Sequence, residues 1–105
     1  MTYEKFIKEY LAKGLIKKQR CDFKSVEKLI LRSRKDIKTA KANLDIDEGI
    51  AYTVAYLAML RAGRALMLLR GFRPADGYQH KTVVEFISHC LGKEFAMMAN
   101  RFDQM

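Results

Sequence analysis

His80 and His89 are the only imidazoles among 105 residues, and nine steps of about 100° set them on opposite sides of any helix that carries both. Histidine exchanges protons near neutral pH, so acid–base chemistry would begin at these two positions. Neither has a second ligand at the four-residue spacing of a helical metal pair, so no metal is expected. Cys21 and Cys90 are too few and too far apart for a zinc knuckle or a disulfide framework, and they read as free thiols. The chain has no glycine-rich phosphate loop and no serine nucleophile elbow, which weakens the enzyme classes built on them and leaves no expected cofactor.

The second kind of chemistry is electrostatic. The formal net charge is +8, and residues 1–44 hold thirteen Lys or Arg against five Asp or Glu, while residues 45–105 hold seven of each. The whole excess is N-terminal. Lys24, Lys28, Arg32 and Lys35 recur at 4-4-3 spacing and would descend one side of a helix, where they can contact successive phosphates. Such a face suits RNA or a nucleotide, an acidic partner or an anionic surface, and it also stays solvated at little cost.

Arg61 and Arg64 interrupt the driest stretch of the chain. A guanidinium there needs water, Glu85, a carboxylate from a second copy or a bound phosphate to meet it. Asp45, Asp47 and Glu48 form an acidic group whose place before an apolar run reads as helix capping rather than metal binding. Tyr52 and Tyr56, one turn apart, read as core or interface packing ahead of a stacking platform.

These side chains must be positioned by helices. The periodicity predicts an all-α fold, an up-and-down bundle of four main helices over about 23–44, 47–70, 78–91 and 93–105, with a short N-terminal helix over Tyr3–Lys13. Residues 1–22 read as that helix plus a basic connector, Lys17-Lys18-Gln19-Arg20, and residues 23–105 as the bundle. Asp22 or Ser25 would cap the first main helix and Asp47 the second, with Gly14, Gly71 and Gly92 as terminators. Phe72-Arg73-Pro74-Ala75-Asp76-Gly77 is the clearest break. Ala51, Ala55, Ala58, Ala62 and Ala65 repeat at 4-3-4-3 spacing, a small-residue stripe that admits a second backbone, either from the same chain or from a homodimer partner. The final stripe, Phe95 to Phe102, reaches Met105 without a stop signal, the pattern expected of either a bundle cut short at its C-terminus or a helix end that frays. The longest apolar run, Val54 to Leu60, falls far below the ~20 residues that span a bilayer. No membrane segment or secretory signal is read, so a cytoplasmic location is the expectation.

The segment from Ala51 to Pro74, followed by His80-Lys81-Thr82-Val83-Val84-Glu85-Phe86, resembles the HEPN domain family, and the likeness extends more weakly from Phe23 to Met105. The resemblance implies a helical bundle that dimerises and that serves as an RNA-cleaving toxin, as a partner of a minimal nucleotidyltransferase in a toxin–antitoxin pair, or as an inactive nucleotide-binding or scaffold form. The ribonuclease members carry an arginine, four to six intervening residues and then a histidine, late in the bundle. Arg73 and His80 have six residues between them, but they flank the turn before the third main helix, earlier than the family motif. The expected role is therefore a noncatalytic nucleotide-binding or protein-interaction module. A metal-independent endoribonuclease is the alternative, with Arg73 and His80 as its sites or with its motif beyond Met105.

Overall fold

Three turn-sized signals explain where the helices begin. Thr2 accepts a hydrogen bond from the Lys5 amide and opens α1 (Tyr3–Ala12). Asp22 accepts from the Lys24 amide and opens α2 (Phe23–Asn43), and Asp47 accepts from the Ile50 amide and opens α3 (Glu48–Leu69). Each side-chain oxygen satisfies an amide that the first turn leaves without a helical partner. A further helix, α4, covers Gln79–Leu91. The computed structural model describes residues 2–75 and 79–92, so the helix expected over 93–105 lies outside the described residues. The fold is the expected all-α bundle, with boundaries within about two residues of those read from periodicity.

Two strands of three residues were not anticipated. β1 (Ile16–Lys18) lies within the stretch read as connector, and β2 (Phe72–Pro74) within the break after α3. They pair antiparallel, Ile16 opposite Pro74, Lys17 opposite Arg73 and Lys18 opposite Phe72. The Gln19 amide donating to the Gly71 carbonyl (2.9 Å) and the Ala75 amide donating to the Leu15 carbonyl (2.9 Å) extend the ladder at its two ends. Gly71 makes the reversal from α3 into β2 at φ 87°, a conformation that costs other residues more.

α2 and α3 form the most extensively packed pair, an antiparallel hairpin. Their contact lines are small or polar on both sides: Ser33, Asp36 and Ala40 are buried on α2, and Ala51, Ala58 and Ala65 on α3. The Ser33 hydroxyl donates to the Ala58 carbonyl at 2.8 Å, so the backbones approach closely. Three members of the alanine stripe proposed as an interface are thus already covered by the same chain, and Ala55 and Ala62 are half-buried.

The opposite side of α3 meets α4. Leu60, Met67, Val83, Phe86 and Ile87 join Phe6 of α1 and Ile16 of β1 in one apolar core. Gly63 permits this approach, because a Cβ there would overlap the Ile87 side chain and stand 2.7 Å from Val83 Cγ1. Phe6 stacks on the His89 ring at 4.6 Å and meets Phe86 edge-on at 6.0 Å, which docks α1. The first 22 residues are therefore built into the core rather than appended to a bundle beginning at Phe23. Among the described residues no helix is long and apolar enough to cross a membrane.

Candidate functional site

Asp36 is the buried carboxylate that the sequence did not single out. Its side chain is 8 % exposed and receives Arg61 Nη1, while Arg32 Nε stands 3.6 Å from its other oxygen. Arg61 is thereby satisfied from α2, not by Glu85 or a second copy. Glu85 accepts the Tyr10 hydroxyl of α1, and burial pushes its carboxyl above the usual carboxylate range. The expected cluster of Arg61, Arg64 and Glu85 thus divides among three places, and Arg64 remains exposed on the α3 surface.

Arg64 faces a groove of about 240 Å³ beside the two-stranded ladder. Three segments bring arginines to its lining: Arg20 from the segment after β1, Arg64 from α3 and Arg73 from β2. Leu29, Leu68 and Pro74 supply apolar lining. Among the described residues none of these three arginines is in an ion pair. Asp22, the one carboxylate among the described lining residues, holds the α2 cap. Its oxygens accept the Ser25 hydroxyl at 2.9 Å and the Lys24 amide at 3.0 Å. Those bonds, the hydroxyl foremost, hold its carboxyl below the ordinary value, with the Lys28 charge adding to the effect. Ladder register sets Lys17 directly across from Arg73 on the same face, a like-charge pair that favours a neighbouring anion.

A wider depression of about 550 Å³ shares Gln19, Arg20 and Asp22 with the groove and continues to Phe23 and Lys24. Lys24, Lys28, Arg32 and Lys35 are all exposed along α2, as their spacing implied. They form a basic path leading from the groove.

Arg73 and His80 fare differently. Arg73 lines the groove, whereas His80 is exposed in the first turn of α4, where its ring meets Tyr56 edge-on at 6.3 Å. None of the described contacts joins them. His89 is taken up by its stack on Phe6. Cys21 and Cys90 are free thiols, and burial raises the Cys90 thiol despite the opposing charge of Arg70.

Comparison with family models, with curated proteins and with solved structures gives no match. Sequence reasoning did not bring these three arginines together. Arg20 was read as part of a connector, Arg64 as a neighbour of Arg61, and Arg73 as half of a histidine motif. The available signal was the pair of apolar-basic triplets Ile16-Lys17-Lys18 and Phe72-Arg73-Pro74, each too short to show a period.

Proposed function

We propose that the chain is a noncatalytic phosphate-binding module of a HEPN-like system, and that its ligand is a nucleotide or RNA held by the arginine groove and the basic path along α2. The observation that carries this reading is the convergence of Arg20, Arg64 and Arg73 from three separate elements, in no ion pair among the described residues. Guanidinium groups recognise phosphate through paired N–H donors, and a groove lined by one sign of charge concentrates anions. The noncatalytic form is favoured because no histidine lines the groove. In the same reading the module works as a homodimer or beside a minimal nucleotidyltransferase, and sedimentation equilibrium with and without such a partner tests that part.

Fluorescence anisotropy with a labelled single-stranded RNA across a salt series tests the binding. Affinity should fall with salt by a logarithmic slope of about 0.7 per phosphate contacted. The RNA should remain intact over the incubation. Binding that ignores salt, or no binding at all, removes the reading. Cleavage abolished by Arg73→Ala/His80→Ala would replace it with the endoribonuclease.

A further inference from the structure

We propose that the groove between β2, α3 and the start of α2 is a site for a terminal phosphomonoester, with the attached sugar or base resting on Leu29, Leu68 and Pro74; this rests on the phosphate-binding reading above. The groove and the α2 path differ in what they match. Along α2 the basic groups are exposed and regularly spaced, which suits a chain of phosphodiesters carrying one charge each. Three arginines line the groove of about 240 Å³, and outside that lining Lys17 stands across the ladder from Arg73. That is more positive charge than one phosphodiester neutralises. A phosphomonoester carries about −1.5 to −2 at neutral pH and offers three strong acceptor oxygens.

The volume points the same way. Pockets that enclose whole drug-sized ligands begin at about 300 Å³, and at about 240 Å³ this groove is of a size for an end group. Its apolar side chains have no use for a second phosphate, but they suit the less polar faces of a sugar or base. Asp22 keeps its negative charge while its oxygens hold the α2 cap, and three arginines against one carboxylate still leave the described lining more positive than one phosphodiester neutralises. The wider depression beside Arg20 and Lys24 gives a continuing strand an exit toward α2. A nucleoside monophosphate and the 5′ end of an RNA present the same group.

Anisotropy on the full 105-residue chain, with one short RNA sequence made with a 5′-phosphate or a 5′-hydroxyl, tests the assignment. The phosphorylated RNA should bind about tenfold more tightly, and the preference should grow as pH rises through the second phosphate ionisation near about 6. Arg64→Gln and Arg73→Gln should erase the preference, whereas Lys35→Gln should weaken both RNAs alike and preserve it. Competition by a nucleoside 5′-monophosphate, but not by the nucleoside, would support a free nucleotide as ligand. Displacement only by phosphorylated RNA would support an RNA end. Equal binding of the two RNAs by the unaltered chain overturns the site whether or not the arginine variants fold. If that equal binding is salt-sensitive, the phosphate-binding function stands while this assignment falls; binding of neither RNA removes both. A preference that survives in folded Arg64→Gln and Arg73→Gln places the site elsewhere and overturns the assignment.

Discussion

The Tyr10 hydroxyl donates to the Glu85 carboxylate, joining the helix that begins the fold to the last helix described. Burial raises the Glu85 carboxyl above its ordinary 4.5, so the folded state holds a proton that the unfolded chain has already released. Stability contributed in this way is complete below the ordinary value and is lost as pH rises through the raised one. Urea titrations between that ordinary value and neutrality should show Glu85→Gln flattening this part of the pH profile. Tyr10→Phe should cost about 1.5–2 kcal/mol at neutral pH, when the acceptor is charged. A Glu85→Gln profile parallel to that of the unaltered chain would count against the assignment.

Asp36 holds Arg61 inside the α2–α3 hairpin. Asp36→Asn should destabilise the chain by about 2–3 kcal/mol, because it leaves a half-buried guanidinium without its counter-charge. Replacing both partners, as Asp36→Leu/Arg61→Met, should cost less than either single change, a non-additivity that a chemical-denaturation cycle measures directly. Arg32→Gln, at a 60 % exposed side chain, should move stability by under about 0.5 kcal/mol.

Gly63→Ala sets helix propensity against packing. Alanine gains about 1 kcal/mol in a helix interior, but here its methyl meets Val83 Cγ1 at 2.7 Å and overlaps Ile87. Overpacking of this kind costs about 1–3 kcal/mol, so the variant should melt at a lower temperature. Ile87→Val removes the foremost clashing methyl and should recover part of the loss in the double variant. A Gly63→Ala chain more stable than the parent would contradict the close approach of α3 and α4.

On α2, Lys28→Gln/Arg32→Gln should weaken RNA binding and lower the salt slope while leaving far-UV circular dichroism unchanged. Both residues are exposed, so the change acts on binding rather than on folding. An unaltered salt slope would remove the α2 path from the binding surface and leave the groove alone.

The helices were legible because each carries its instructions locally. Asp22 and Asp47 act as caps where the sequence placed them, and Gly14, Gly71 and Gly92 take the positive φ expected of terminators. The stripe from Ala51 to Ala65 was also visible, but spacing cannot say whether a small-residue face meets its own chain or another, and it meets α2. The partner of Arg61 was hidden for a related reason. Asp36 sits among seven basic residues on α2 and looks like surface charge until the register of the hairpin turns it inward. The groove was least legible, since Arg20, Arg64 and Arg73 share no local pattern and come to one groove through the β1–β2 pairing and the packing of α3 on β2.

That pairing also fixes when the groove comes into being. The α2–α3 hairpin closes over a short turn and can form early, whereas β1 and β2 come from distant parts of the chain and must wait for a costly loop to close. Loop closure thus makes ladder and groove late products of folding. A ligand that binds only the closed ladder would by mass action delay its opening, and slowed exchange of the Gln19 and Ala75 amides would report occupancy.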